Sequence, residues 1–313
     1  MSGIYPKKRK TAEIGVRTGI LALAVFLLAR TADAGDAVTR ALSICINSVV
    51  PSLFPYMVVS SLIVSSGCAV WLGKKISAPF EHIFHLPGAG CAAVFLGFAA
   101  GFPVGARTAC ELYEEGMCTR EEAQRLCALC NNTGPAFIIG GIGAGLFGDV
   151  RTGYALCALQ LISALICAFL YAAGKRTART TVHPEVSFKP DFTSAVTGAA
   201  LSCLNVSAYI VFFSVLGTLV RSVTVGRAAR LYPAVCALLE ITSGAREAAS
   251  IGGDSGFVLA AFAVGWGGLC VHAQSSAFMV KSGLDMKNYI CRKLLHGFLC
   301  AALAALCIFC KNI

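Results

Sequence analysis

The sequence predicts an all-α polytopic membrane protein made of two inverted-topology repeats, each with a re-entrant hairpin and a broken helix. Three observations point there. Of 313 residues, 57% are hydrophobic and 13% charged, with a mean hydropathy of +0.73. A soluble domain carries about 25% charged residues, so this chain has too little charge to solvate a globule of its size. Several apolar runs are too short to cross a bilayer and end at Gly/Pro or polar breaks. Finally, two of those breaks recur at nearly constant spacing along the chain.

The net charge is +10, yet the cations sit in short connectors: Lys7 to Lys10, Lys74 and Lys75, Lys175, Arg176 and Arg179, then Lys287, Arg292 and Lys293. That is the positive-inside distribution. Nucleic acid is excluded as a partner, because phosphate binding needs a continuous basic surface. Most of the 16 cysteines lie inside apolar stretches, where a thiol packs as a small hydrophobe. The pairs Cys127/Cys130 and Cys307/Cys310 lack a βαβ context and a completing His spacing, so neither redox chemistry nor zinc is expected. So many thiols suit a reducing compartment on one side. No nucleophile–base pair or metal-ligand set appears. The chain is not expected to be an enzyme or to hold a cofactor.

Residues 1–34 form the first unit. A basic head, an apolar core and Ala32-Asp33-Ala34 imitate a signal peptide with a cleavage site. An uncleaved signal anchor, with Arg17 and Arg30 snorkelling to the interfaces, fits better because the remainder is itself a bundle. The N-terminus is then cytoplasmic and residue 35 lies outside.

The first repeat covers residues 35–180. Residues 35–50 show helical periodicity, with Asp36 and Arg40 on the polar side, and are expected to lie along the interface. Pro51 and Pro55 open an apolar run to Ser66. Trp71, Lys74 and Lys75 mark the cytoplasmic interface, and an amphipathic connector runs to Pro87. From residue 88 the apolar stretch is only about 12 residues long before Gly101-Phe102-Pro103, whereas a span needs roughly 20. A short run, a break and a polar return helix make a re-entrant hairpin, tolerated only against protein or a water-filled cavity. Residues 120–130 form an amphipathic helix that runs into Asn131-Asn132-Thr133-Gly134-Pro135 and resumes from Ala136 to Phe147. Residues 151–173 are a plain span.

The second repeat covers residues 181–313, after a linker containing Pro184. A span is expected over 193–220. Glu240 to Arg246 then interrupts the short run from Tyr232 to Leu239. A third unit, Phe257 to Leu269, breaks at His272-Ala273-Gln274-Ser275-Ser276, and the last span runs from 292 to 310. Gly105-Ala106-Arg107 matches Gly244-Ala245-Arg246 at an offset of 139 residues, and Ala136-Phe137 matches Ala277-Phe278 at 141. Asn131 then stands opposite His272. Three spans per half is odd, so the second half inserts upside down, as in secondary transporters. About seven spans and two hairpins follow.

The strings GFPVGARTACELYEEG (101–116), NNTGPAFIIG (131–140) and GGLCVHAQ (267–274) resemble the YlbJ-type sporulation integral membrane protein family. That family is grouped with the nucleoside-recognition, or Gate, domain proteins, whose relatives include the gate of the ferrous iron permease and concentrative nucleoside transporters. The resemblance runs from about residue 40 to about residue 300. It implies an integral cell-membrane protein of an endospore-forming bacterium with a transporter-like fold, but brings no proven substrate.

Four groups are candidates for solute or ion binding. Gly101, Pro103, Gly105 and Arg107 combine a missing donor with close backbone approach; the alternative is a packing kink. Asn131, Asn132 and Thr133 offer amides and a hydroxyl suited to a base or sugar; the alternative is helix-to-helix hydrogen bonding. Asn131 also begins a glycosylation sequon, which its depth makes irrelevant. Glu240, with Thr242 and Gly244, places a carboxylate in an apolar run, at about 2.5–3.5 kcal/mol on insertion scales. It would serve a proton or cation, or pair with Arg107 or Arg246. His272, Gln274 and Ser275 could relay protons or bind a ligand; a satisfied structural His is the alternative. Gly143 to Gly148 fits GxGxxG literally but without its βαβ unit, so close helix approach is the simpler use.

The expected function is moving or sensing a small polar, nucleoside-like solute, coupled to H⁺ or Na⁺, with the four groups meeting near the midplane. The competing class is a non-transporting membrane component required for spore cortex or envelope assembly. Besides lipid and solute, the expected partners are a second copy of the chain or other sporulation membrane proteins.

Overall fold

The computed structural model describes residues 5–173, 191–224 and 230–311, and every regular element among them is helical. The expected boundary between halves, near Pro184, lies outside the described residues. Helices α1 (Tyr5–Ala29) and α2 (Thr31–Ile44) meet at Arg30 with a bend of 97°. The bend separates the apolar first helix from the segment expected along the interface. α2 buries Ala34, Ala37 and Ala41, packing the first two against Val215 of α9 (Phe192–Thr224). Spacing of three and four residues puts these alanines on one face. A π-helical segment, Cys45–Val49, leads into α3 (Val50–Ser65), and α4 (Cys68–Ile83) bends 78° away from it. The Lys75 ammonium lies 4.2 Å over the Trp71 ring, the aromatic–cation pair expected at that interface.

The hairpin follows as α5 (Gly90–Ala100) and α6 (Val104–Glu114), turning at Gly101 to Pro103 with a cis Phe102–Pro103 peptide. Its arms clasp the end of α7 (Arg120–Cys130). A Cβ on Gly97 or Gly105 would stand 2.0 or 2.2 Å from the Cys130 carbonyl oxygen. Only glycine leaves room for that carbonyl. Thr119 and Glu122 start α7 with reciprocal side-chain-to-backbone bonds, a capping box. Although α7 carries Glu122, Gln124 and Arg125, all three are buried. Arg125 donates to the carbonyls of Phe84 and His85, at 3.2 and 2.6 Å. The helix is amphipathic in sequence and interior in place.

Residues 131–134 are not helical, as the polar string predicts. A π-helical segment, Phe137–Leu146, and α8 (Val150–Ala172) complete the half. A Cβ on Gly143 would lie 2.4 Å from the Gly153 Cα, so the glycine string serves helix approach.

The second half has α9, a hairpin of α10 (Tyr232–Leu239) and α11 (Ile241–Ile251), then α12 (Gly253–Trp266), α13 (Gly268–Met279) and α14 (Met286–Lys311). The order of elements recurs: short hairpin, helix, break, helix, long helix. Gly105 and Gly244, matched at 139 residues, do the same work. A Cβ on Gly105 would meet Gly97 of the other arm at 3.0 Å, and one on Gly244 would meet Ala237 of the other arm at 2.4 Å.

The second match, at 141 residues, is out of register with the elements: Phe137 begins a segment, whereas Ala277 and Phe278 lie near the end of α13. The break falls at Gly267, with φ 86°, not at His272 to Ser276, which are helical. Gly267 and Gly268 both adopt left-handed φ, and that is the signal that decides where the chain breaks. The last helix starts at Met286, six residues before the expected 292.

Among the described residues, four helices are long and apolar enough to cross a membrane: Val150–Ala172, Phe192–Ser222, Gly253–Met279 and Met286–Cys310. Counting each bent pair as one span raises the number to six. The expected seven included the broken helix over 120–148, whose first arm is too polar to qualify.

Two outcomes follow. Gly105→Ala should lower the thermal unfolding midpoint of the detergent-solubilised protein, at a cost of about 1–3 kcal/mol for overpacking. Gly140→Ala, which meets nothing within 4 Å, should cost less than about 1 kcal/mol in the same melt. Asp149 caps α8 from outside the span, and the Arg151 N–H and Thr152 hydroxyl hold its carboxyl below the usual range. A lowered carboxylate contributes stability above its unfolded pKa of about 3.9 and loses it as pH falls further. Melts of Asp149→Asn should therefore lie below wild type at pH 7 and converge with it once the pH falls through the lowered carboxyl pKa.

Candidate functional site

The two breaks face each other in the interior. A Cβ on Gly101 would lie 2.5 Å from the Gly134 nitrogen, and one on Gly267 would lie 3.1 Å from the Phe102 ring. The hairpin turn of the first half thus touches the helix breaks of both halves. Across that junction Asn131 donates to the hydroxyls of Ser275, at 2.8 Å, and Tyr289. Asn132 accepts from Lys293 Nζ at 3.0 Å, and Thr133 donates to the Val264 carbonyl at 3.0 Å. Each break residue that lost its helical partners now binds a different helix.

Lys293 is the unexpected member. The sequence groups it with Lys287 and Arg292 as an interfacial cation, but it is 1% exposed on α14. Its ammonium meets Asn132 Oδ1 and, at 2.8 Å, His296 Nδ1. Among the described residues no carboxylate pairs with it. Because Lys293 donates to Nδ1, the imidazole proton sits on Nε2 and is donated to the Gln160 carbonyl at 3.2 Å. Gln160 Nε2 donates in turn to the Thr133 carbonyl at 3.0 Å. The network ties α14, α8, the first break and α12 together.

This network lies deep. Gln160 is ten residues from Val150 and twelve from Ala172, about 15 and 18 Å along a helix rising 1.5 Å per residue. The hydrocarbon core is about 30 Å thick. Gln160 was missed by sequence because it is a single polar residue in an otherwise apolar run, whereas Tyr289 and His296 stand near Lys287, Arg292 and Lys293 and read with them as an interfacial end. His296 carried the same signal as Glu240, an ionisable group four residues or fewer from apolar stretches on both sides.

His272 is 2% exposed and edge-on to Trp266, with centroids 4.1 Å apart, and to Tyr289 at 5.4 Å. Neither of its ring nitrogens has a hydrogen-bond partner, nor do Asn131 Oδ1 and Gln160 Oε1. A buried polar atom left unpaired costs about 1–3 kcal/mol. Two of these free atoms sit on Asn131 and Gln160, which hold the network together, and two on His272, which packs against Tyr289 beside it. They are groups a bound solute could satisfy.

The other candidates lie apart from this centre. Glu240 is half-buried and caps α11, accepting from Thr242 N–H and Ser243 N–H at 2.8 Å each and from the Ser243 hydroxyl at 2.9 Å. It pairs with neither arginine. The cap removes the insertion penalty that made the residue conspicuous, since three donors surround the charge. Arg107 instead pairs with Glu111 at 3.0 Å, and donates to Ser61 at 2.8 Å and the Met57 carbonyl at 3.2 Å. Arg246 is exposed. Gln274 is buried but donates to Cys270 Sγ at 3.2 Å. The α10–α11 junction reaches the breaks through backbone: a Cβ on Gly268 would lie 2.9 Å from Glu240 Cα, and Trp266 Nε1 donates to the Leu238 carbonyl at 3.0 Å.

The chain is 25% identical over 312 residues to the sporulation integral membrane protein YlbJ of Bacillus subtilis (strain 168), covering 87% of this chain and 76% of the relative. The chain is thus similar to a sporulation integral membrane protein along most of its length. Its several long apolar helices make it a multi-pass integral membrane protein. No family model matches the chain, and no solved structure matches it.

A double-mutant cycle on Asn131→Ala and Tyr289→Phe measures the junction. Thermal melts should show each single change destabilising, with a coupling of about 0.6–1.7 kcal/mol, the range for hydrogen bonds between membrane helices. A coupling near zero would mean that the bond between halves contributes nothing.

Proposed function

We propose that this chain moves or senses a small polar solute across the membrane, bound where the two helix breaks meet. One observation carries the reading: Lys293 is fully buried inside an apolar helix against neutral acceptors only, in a centre where four polar atoms of Asn131, Gln160 and His272 are unpaired. Ionisable residues buried within membrane helices serve substrate, ion or proton pathways, and discontinuous helices near the midplane supply their free ends to transported solutes. Lys293 offers donors, while Asn131 Oδ1, Gln160 Oε1 and His272 offer acceptors. A solute with both kinds of group fits, which includes nucleosides and small hydroxylated or amidated carboxylates.

Coupling to H⁺ suits this centre better than coupling to Na⁺. Sodium needs a cage of oxygen ligands free of positive charge, whereas Lys293 and His296 form a hydrogen-bonded pair that can carry a proton. Inverted insertion of the second half, and membership of the Gate group, would supply the alternating access that transport requires. The relative's name places it in sporulation, and we extend that setting to this chain.

Proteoliposome uptake of radiolabelled nucleosides and small carboxylates, with a pH gradient or a sodium gradient, tests the proposal. Uptake driven by the pH gradient and reduced at least tenfold in Lys293→Met, with the melt of the variant still cooperative, is the expected result. Absence of uptake for every solute would favour a non-transporting component of spore cortex or envelope assembly. The specific support for that second reading is that the Lys293 network already closes on itself through Asn132, His296, Gln160 and Thr133.

A further inference from the structure

We infer that α9 presents a self-association face, and that the partner at this face is a second copy of the chain joined through Asn205. The span Phe192–Ser222 is the least buried of the four, with 17% of its most apolar window covered. Its inner face packs Ala195, Ala199, Cys203 and Val206 against α3. The opposite face exposes Leu201, Leu204, Asn205, Ala208 and Phe212. The spacing of three and four residues makes them one stripe.

Asn205 is the anomaly on that stripe. Asp191 and Arg221 bracket the apolar stretch, and residue 206 is its midpoint, so the carboxamide lies at the centre of the span. It is exposed, and it has no hydrogen-bond partner among the described residues. The hydroxyls nearby are satisfied within the helix: Ser202 donates to the Gly198 carbonyl at 2.7 Å and Thr197 to the Thr193 carbonyl at 2.9 Å. A carboxamide has two donors and an acceptor that cannot all be met this way. Beside it, α1, α2 and α9 leave an open groove lined by Leu23, Leu27, Leu204, Ala208 and Phe212 among others. Apart from the Ser207 hydroxyl, with which Asn205 makes no hydrogen bond, the lining side chains are apolar and offer no polar partner.

Lipid tails offer none either, and an unmet polar group in hydrocarbon is costly. A second α9 related by a two-fold axis supplies what is missing. Each Asn205 donates to the other's carbonyl, because an isologous contact sets a residue against itself and a carboxamide is complementary to itself. The flanking Leu201, Leu204 and Ala208 pack against their own copies.

Single-molecule photobleaching of dye-labelled protein, diluted over a range of protein-to-lipid ratios in liposomes, decides the matter. Wild type should bleach in two steps at high density and in one on dilution. Asn205→Leu should raise the dissociation constant about tenfold, the size of two amide hydrogen bonds between membrane helices. Asn205→Gln, which keeps the carboxamide, should stay within about threefold of wild type. Wild type that is monomeric at every density would overturn the inference, as would dimers that Asn205→Leu leaves equally tight. Asn205 is exposed on its helix, and a cooperative thermal melt with the wild-type midpoint at monomer densities confirms folding of the variant.

Discussion

Backbone groups set free inside a bilayer must find partners within the protein, and the helix breaks of this chain obey that constraint at every level. The Cys130 carbonyl, the last of its helix, accepts the Asn132 N–H at 3.1 Å in a space left by two glycines of the hairpin. The carbonyls of Thr133 and Val264 accept side chains from other helices. Asn131 and Asn132 extend the same logic to side chains. The polar centre is thus a by-product of paying the hydrogen-bond debt of broken helices, and the unpaired atoms of Asn131, Gln160 and His272 are the exception.

Sequence reasoning reached the membrane class and the first half almost unaided. Gly101 to Pro103 and Asn131 to Pro135 combine breakers with polar residues, and such strings have few alternatives inside an apolar chain. The second half was harder. His272 to Ser275 look like a break because they are polar, yet Ser275 and Ser276 return hydrogen bonds to their own helix, and the chain breaks where glycines take positive φ. Polarity and helix-breaking coincide in the first half and separate in the second.

Glu240 and Lys293 show the other limit. Both are charged residues beside apolar runs, and sequence ranks the glutamate as the buried functional group and the lysine as a surface cation. The fold reverses this. A carboxylate at the start of a helix finds backbone N–H groups within three residues, so its burden is local and invisible to composition. The partners of Lys293 include Asn132, 161 residues away, and no local signal distinguishes it from neighbouring Arg292.

One more contact shapes how such a centre could open. Gln124 and Asp285 exchange two hydrogen bonds, carboxamide to carbonyl and N–H to carboxamide, at 2.9 and 2.8 Å. This reciprocal clasp fixes the root of α7 to the root of α14, while Asn132 and Lys293 join them deeper in. Two fastenings at different heights prevent the helices from sliding past each other or splaying at one end. α7 and α14 are therefore held as a single unit, top and bottom.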